Sequence, residues 1–270
     1  MTNQDLRTAE DELDRLAAHL ETVVPDAGYP TAALALGHRA RSLFLGFRQL
    51  IEGPTPIAAS SLMRPMVEIN FLLRFFGQSP ELHAKLWIAE GRRQQVAFLD
   101  EYAKSRFLVE RWGPPPAGQI KLREELRADV QAVREEALAA GADFVKTGAL
   151  VPSAAALVQM LKDPAVEDAY TIVYRRLGAD VHAGMQAFEK GIFTPSAGGL
   201  VSYSEPQGHE SFKAERTLVV TMFASTLCIL SAVFELGIHD RADAVKQRFM
   251  PAGETPIAQR IRDAPPDQEA

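Results

Sequence analysis

The eighteen residues from Thr217 to Phe234, TLVVTMFASTLCILSAVF, contain no charged side chain and decide the fold. A helix that is apolar on nearly every face is buried, either in the core of a protein or in a membrane. About eighteen residues is the lower limit for a helix that crosses a bilayer. The flanking charges are mixed in sign and give no positive-inside bias. We therefore expect a buried central or subunit-interface helix, with a membrane anchor as the alternative.

Apolar residues recur at helical spacing through most of the remaining chain, and alternating strand patterns with hairpin turns are absent. Glycine and proline mark the ends of the periodic segments, most clearly at residues 113–116, GPPP. The sequence therefore predicts an all-α protein. The predicted helices span residues 5–24, 31–51, 57–76, 80–112, 117–140, 164–190 and 212–238, with a short helix after Pro152.

We expect these helices to form one domain over residues 1–250. Its core would come from residues 31–76 and 164–238. The strongly charged helix and the proline-rich turn, residues 113–150, would form an insertion, because apolar positions occupy only a narrow stripe of that helix. Residues 191–208 are rich in Gly, Pro and Ser and are predicted to be a loop. Residues 251–270 are predicted to be a mobile tail.

Composition limits the function classes. The chain has 270 residues, a net charge of −6 and one cysteine, Cys228, which cannot form an internal disulfide. The polar, acidic N-terminus lacks the features of a secretory signal, so we expect a cytoplasmic protein. The acidic balance argues against a nucleic-acid coat protein but leaves room for a local basic site. Phosphate-loop, dinucleotide and nucleophile-elbow motifs are absent and the six histidines are scattered, so we expect no cofactor and no metal.

One polar cluster interrupts an apolar helix at residues 64–70, RPMVEIN. Arg64 and Glu68 are four residues apart and are neighbours if the helix is continuous. Pro65 disfavours helical geometry at Arg64, so we expect a kink there or a helix that restarts at Pro65. The apolar residues that follow indicate a buried helix and a buried Glu68, which needs a partner or a proton. The pattern fits either a structural Arg64–Glu68 pair or a site carboxylate with its orienting arginine.

A second polar cluster occupies residues 170–184, YTIVYRRLGADVHAG. Arg175 and His182 are seven residues apart, which places them on nearly the same face of a regular helix. Gly178 and Ala179 lie between them and leave a gap lined by small residues. Either a substrate enters this gap, between a basic and a titratable side chain, or another helix packs closely against it.

Together the two stretches resemble a bacterial family of helical proteins of unknown function. That family carries an Arg-x3-Glu helix, here LMRPMVEINFLLRFF, and a tyrosine-containing helix that ends in a histidine, here YTIVYRRLGADVHAG. Tyr174 fits the tyrosine, and Gly178 stands at the position of a family serine. The family is related to the higher-eukaryote-and-prokaryote nucleotide-binding (HEPN) superfamily. The resemblance covers about residues 31–234 and implies a HEPN-like helical bundle with a charged helical insertion.

In that superfamily, an arginine followed closely by a histidine often forms a metal-independent ribonuclease site at a dimer interface. The resemblance implies that His182 acts as general base or acid at a ribose 2′-hydroxyl, and that Arg175 or Arg176 stabilises the phosphorane charge. Leu177 follows Arg176, where superfamily members usually carry a polar residue. The resemblance and the polar clusters together give the supporting or binding residues: Arg64, Glu68, Asn70, Tyr174 and Asp180.

Three functional hypotheses follow. The first is a homodimeric protein that cleaves RNA or binds a nucleotide, in a defence or toxin–antitoxin role. The second is a non-enzymatic binding or regulatory module with a protein partner. In that module a buried polar network would hold the central helices in register, built from Arg64, Glu68, Tyr174, Arg175 and His182. The third is a membrane-attached protein that uses residues 218–234, which we favour least.

Overall fold

The structure, a computed structural model, describes residues 2–53, 56–171, 192–195, 201–204 and 212–249. Over these residues the protein is all-α, as the sequence predicts, apart from one short hairpin. The α-helices of the described residues are α1 Asn3–Ala17, α2 Tyr29–Ile51, α3 Ser60–Gln78, α4 Pro80–Lys104, α5 Arg106–Trp112, α6 Ala117–Ala139, α7 Ala154–Leu161, α8 Pro164–Ala169, α9 Lys213–Phe234 and α10 His239–Phe249. Short 3-10 helices span Ala18–Thr22, Pro56–Ala59 and Asp143–Thr147.

The predicted helix 80–112 is divided into α4 and α5. Ser105 has an extended backbone, with φ −75° and ψ 106°, and its side chain accepts a hydrogen bond from the Leu108 N–H. A serine in this conformation caps the N-terminus of the helix that follows it. The apolar periodicity continues across Ser105, so the pattern alone did not reveal the break. Pro65, in contrast, does not start a helix: α3 begins at Ser60 and contains Pro65 in its interior.

The loop predicted for residues 191–208 contains a hairpin. Its strands, β1 Ile192–Pro195 and β2 Val201–Ser204, are antiparallel, with Phe193 opposite Tyr203. Aromatic and β-branched residues favour strands, but each strand is too short to show an alternating pattern. The structure also contains α10, an eleven-residue helix of mostly polar residues that the sequence analysis does not predict. The predicted tail, residues 251–270, lies outside the described residues.

The chain divides into two compact units. Unit 1 consists of residues 1–25, 33–74 and 158–270, and α9 is its central helix. The Phe44 ring of α2 stacks on the Phe223 ring of α9 at 4.3 Å between centroids. Gly37 of α2 also lies against α9, where an added Cβ would be 2.8 Å from Leu230 Cδ1. The single-domain prediction for residues 1–250 stays a prediction.

Helix α9 keeps its polar side chains bonded inside the core of unit 1. The hydroxyls of Thr217, Thr221 and Thr226 each donate to the carbonyl oxygen four residues earlier. Among the described helices, α9 is the one long and apolar enough to cross a membrane by length and composition, and 78% of its most apolar window is buried within the protein. The burial agrees with the expectation of a central helix.

Unit 2 consists of residues 26–32 and 75–157 and is built around the antiparallel pair α4 and α6. Ion pairs along both helices fix this direction: Lys85 with Glu136, Arg92 with Asp129, and Asp100 with Arg123 and Arg127. Its buried core contains Leu86, Ala89, Ala137, Val145 and Leu150. Glu90 accepts hydrogen bonds from Arg93, from Gln94 and from the Leu150 N–H. These bonds outweigh burial and hold the pKa of the Glu90 carboxyl below its usual range.

Candidate functional site

The Arg64–Glu68 pair predicted from the sequence is present on α3, with 3.3 Å between Arg64 Nε and Glu68 Oε1. It is not buried: the two side chains are 34% and 40% exposed. The prediction of a buried Glu68 is therefore wrong. The buried face of α3 carries Met63, Met66 and Val67, and the Arg64–Glu68 pair lies on the adjacent, partly solvated face. Both charged groups are accessible to a ligand from solvent.

Asn70 is separated from this pair and belongs to a different cluster. Its side chain is buried, and Nδ2 donates to Thr226 Oγ1 of α9 over 3.2 Å. Its Oδ1 accepts a hydrogen bond of 2.9 Å from Arg74 Nε. Positions 68 and 70 of a helix differ in direction by about 200°, so the helical geometry sends Glu68 and Asn70 to different faces. The structure thus places Asn70 in the packing between α3 and α9.

Arg74 is the centre of this second cluster, which sequence reasoning missed. Its guanidinium contacts Asn70, the carboxylate of Asp163, and Ser225 Oγ of α9 at 3.1 Å. We call these residues with Thr226 the Arg74 cluster. The arginine is half-buried, and its planar group presents several donors to three acceptors at once. The spacing of Asn70 and Arg74 was the available signal, since residues four apart on a helix are neighbours.

The Arg74 cluster also attaches the start of α8. Asp163 immediately precedes this helix. Its carbonyl oxygen accepts hydrogen bonds from the N–H groups of Val166 and Glu167, each with an N–O distance of 3.0 Å. The Asp163 carboxylate is the group bound by Arg74. Helix α8 is therefore fixed to α3 and α9 through Asp163, the residue that precedes it. The helical backbone continues through Tyr170 and Thr171.

The remaining residues of the predicted site follow this helix in sequence. His182, Arg175, Arg176, Tyr174 and Asp180 all lie outside the described residues. Of the supporting residues, Arg64 and Glu68 form one pair and Asn70 joins the Arg74 cluster. Asn70 lies apart from Arg64 and Glu68 because helical rotation separates them, and its role in a site stays a prediction.

A third polar group lies deeper in unit 1 and was also missed. Arg216 of α9 and Glu10 of α1 form a bidentate pair, with Nε–Oε1 at 3.0 Å and Nη2–Oε2 at 2.6 Å. Their side chains are 0% and 1% exposed. Arg48 Nε of α2 lies 3.6 Å from Glu10 Oε2. Glu10 occurs in a charged amphipathic helix, where the sequence gives no sign that one acid faces inward.

The histidines in the described part of the chain act as structural groups, apart from the exposed His38. His83 Nδ1 donates to the Phe75 carbonyl at 2.6 Å, and its ring stacks on Phe75 at 3.6 Å. Burial lowers the pKa of His83. The Nδ1 atoms of His19 and His239 lie 3.1 and 3.2 Å from backbone carbonyl oxygens. No group of three or more His, Cys, Asp or Glu side chains that could hold a metal ion occurs within the described ranges.

Comparison with known proteins identifies a family. No curated protein and no solved structure matches the sequence. A family model described as a family of unknown function, DUF5677, matches residues 31–199. This range covers more than half of the chain and includes α3, the Arg74–Asp163 contact and the stretch from Tyr170 to Gly184. The chain therefore belongs to this family of unknown function, DUF5677.

Proposed function

We propose that this protein is a HEPN-like cytoplasmic protein that binds RNA or a nucleotide and cleaves RNA without a metal. The observation that supports it best is the range of the family match. Residues 31–199 include both polar stretches that resemble the HEPN-related bacterial family, the Arg-x3-Glu helix and the segment from Arg175 to His182. Both stretches thus lie within the range of one family match.

The chemistry of the proposed reaction needs only side chains. His182 as base would take the proton of a ribose 2′-hydroxyl, whose oxygen then attacks the neighbouring phosphorus. The bond from phosphorus to the 5′-oxygen breaks, and that oxygen leaves with a proton from an acid or from water. Arg175 or Arg176 would stabilise the additional negative charge on the phosphorane. The products are a 2′,3′-cyclic phosphate and a 5′-hydroxyl end.

The Arg74 cluster supports the proposal by fixing the start of α8, the described helix that precedes Arg175 and His182 in the sequence. Asp163 at the start of α8 is held by Arg74, which is itself bound to Asn70 and Ser225. Catalytic side chains must be held closely in place to be effective. We infer that fixing α8 at Asp163 restrains the chain that leads to Arg175 and His182 in the sequence.

The test is cleavage of a 5′-labelled single-stranded RNA in excess EDTA by the wild type, His182→Ala and His38→Ala. His38 is exposed on α2 and serves as the matched histidine control. We expect cleavage by the wild type and His38→Ala, and a loss of at least about 100-fold for His182→Ala. Equal cleavage by all three proteins, or cleavage by none, would reject the proposed activity.

A second candidate function is a non-enzymatic binding or regulatory module. It is favoured by the bonding within the Arg74 cluster, where Asn70, Asp163 and Ser225 all contact the same guanidinium. Calorimetric titration with mononucleotides and short RNA separates the candidates. Binding that survives His182→Ala, without cleavage by the wild type, supports the module; cleavage that depends on His182 excludes it.

A further inference from the structure

Helix α4 of unit 2 carries an uncharged ridge on the side that faces away from α6. The ridge consists of Trp87, Gly91, Phe98 and Tyr102, which point within about 60° of one another around the helix axis. Phe98 is 64% exposed, Gly91 is exposed, and Trp87 and Tyr102 are half-buried. Asp100, which pairs with α6, points about 180° away from Gly91. We call the four residues the α4 ridge.

Gly91 is the unexpected member of the α4 ridge. It lies in the interior of a 25-residue helix, where glycine is less favourable than alanine. Its backbone is helical, so no positive φ requires a glycine, and no neighbouring atom lies within 4 Å of an added Cβ. Nothing in the described part of the chain therefore accounts for the missing side chain. A glycine without a local reason permits the close approach of another molecule, and we call the gap above it the Gly91 notch.

The α4 ridge is self-complementary about its centre. The midpoint between Gly91 and Phe98, at positions 94–95, is also the midpoint between Trp87 and Tyr102. In a two-fold contact, residue i of one copy meets residue j of the other, and j meets i. If two copies of α4 lie antiparallel about this midpoint, each Phe98 is opposite the other Gly91. Each Trp87 is then opposite the other Tyr102.

The side chains suit such a contact. The Phe98 ring stacks on Tyr102, with 6.4 Å between centroids and 7° between planes, which leaves it ordered beside the Gly91 notch. A large side chain that enters a gap on a facing helix is the usual way in which helices interlock. No charged residue of α4 between Trp87 and Tyr102 points within about 60° of Gly91. Aromatic residues are also enriched at protein interfaces.

Gln95 lies next to the centre of the α4 ridge. It is exposed, and its amide makes no hydrogen bond with any described residue. An amide has both donors and an acceptor. In the antiparallel arrangement the two copies of Gln95 face each other across the two-fold axis, so each can donate to the other.

We propose that the α4 ridge is a homodimer interface, in which α4 packs antiparallel against α4 of a second copy and each Phe98 enters the Gly91 notch of the other. One helix per copy buries less than the about 800 Å² per partner of a standard interface, so the dimer is weak, with a Kd on the order of 10–100 µM. This inference does not depend on the proposed activity, because it concerns mass in solution and not cleavage.

The first test is sedimentation equilibrium of the full chain between about 5 and 500 µM, a range that brackets this Kd. The wild type should change from one chain mass to two. Gly91→Phe, which fills the notch, should weaken the dimer at least about tenfold. Gly118→Phe is the matched control, because Gly118 is an exposed helical glycine of α6 with no neighbour within 4 Å of an added Cβ. It should dimerise like the wild type.

The second test exchanges the ring and the gap between chains. Phe98→Ala removes the ring and should also weaken the dimer at least about tenfold. An equimolar mixture of Gly91→Phe and Phe98→Ala should recover wild-type affinity, because one chain then has a ring at both positions and the other has a gap at both. Changes within one chain cannot produce this recovery.

Gly91→Ala separates docking from folding. Alanine forms helices better than glycine, so the Tm measured at about 1 µM, where the chain is monomeric, should rise. The added Cβ occupies part of the Gly91 notch, so the Kd of the dimer should rise at least about fivefold. A defect in folding cannot give a higher Tm and a weaker dimer together.

Any one of four results would overturn the proposal. They are a wild type that remains monomeric at the highest concentration, a Gly91→Phe variant that dimerises as well as the wild type, a Gly118→Phe control that loses the dimer, and a mixture that associates no better than its separate chains. Circular dichroism should show equal helix content for all these proteins.

Discussion

Arg216 and Glu10 form a bidentate ion pair that is fully enclosed in unit 1, although 206 positions separate them in the sequence. The pair joins the first helix to the central helix α9. A buried charge is tolerated when its partner is close and well oriented, and it is very costly when that partner is removed. The pair therefore makes the packing of α1 on α9 sensitive to single substitutions at either end.

We expect Arg216→Met and Glu10→Leu each to lower the free energy of unfolding by about 3 kcal/mol, because each leaves a buried charge without its bidentate partner and with only a longer contact, to Arg48 or to Glu52. The double variant should recover most of that loss. Arg216 Nη1 has no hydrogen-bond partner, so the pair is incompletely satisfied and an apolar replacement loses little. Urea denaturation of the four proteins gives the coupling free energy. Additive losses in the double variant would contradict a direct pair.

The two arginines of α3 should differ in their contribution to stability. Arg74→Met leaves the buried Asn70 oxygen without its donor and removes the ion pair with Asp163, and we expect a loss of about 2–3 kcal/mol. Arg64→Met removes a half-exposed pair four residues apart and should cost about 0.5 kcal/mol or less. Urea denaturation compares them directly. If the two variants lose equal free energy of unfolding, the Arg74 cluster contributes no more stability than a surface ion pair.

His83 should make the stability of unit 2 depend on pH. Burial lowers the pKa of His83 in the folded protein, whereas the pKa of the unfolded side chain is about 6.5. As the pH falls below that value the unfolded chain takes up a proton that the folded chain does not. The stability contributed by neutral His83 is thus fully present above about pH 6.5 and declines as the pH falls through the folded pKa.

The measurement is the free energy of unfolding of the wild type and His83→Asn at several pH values from 8 to 5. Asparagine keeps a donor for the Phe75 carbonyl but does not titrate. The wild type should lose more stability than the variant over this range, because only the wild type carries the titrating imidazole. If the free energy of unfolding falls equally with pH in the two proteins, His83 is not the cause of the pH dependence.

Two helical glycines should respond in opposite ways to alanine. At Gly37 the new Cβ would be 2.8 Å from the buried Leu230 Cδ1, and we expect a loss of about 1–3 kcal/mol from overpacking. At Gly91, which is exposed on α4 and has no neighbour within 4 Å of an added Cβ, we expect a gain of about 0.5–1 kcal/mol from helix propensity. Thermal unfolding should show a lower Tm for Gly37→Ala and a higher Tm for Gly91→Ala than for the wild type. Stabilisation by Gly37→Ala would show that Leu230 moves freely.

The sequence by itself determined the helices. Local apolar periodicity, with Gly and Pro at the ends, placed α2, α3, α6 and α9 within a few residues of their observed bounds. It also placed Arg64 beside Glu68, because residues four apart on one helix are neighbours whatever surrounds them. These features depend on interactions within one helix, and a single segment contains all the information about them.

Only the tertiary structure decided which polar residues are buried and what they bind. The apolar run after Arg64 suggested a buried Glu68, yet among the described residues of unit 1 the fully buried acid is Glu10, in a charged amphipathic helix. The contacts of Arg74 with Asp163 and of Glu10 with Arg216 join segments 89 and 206 residues apart. Such partners are selected by how whole helices pack against one another, and that relationship between distant segments has no local signal in the sequence.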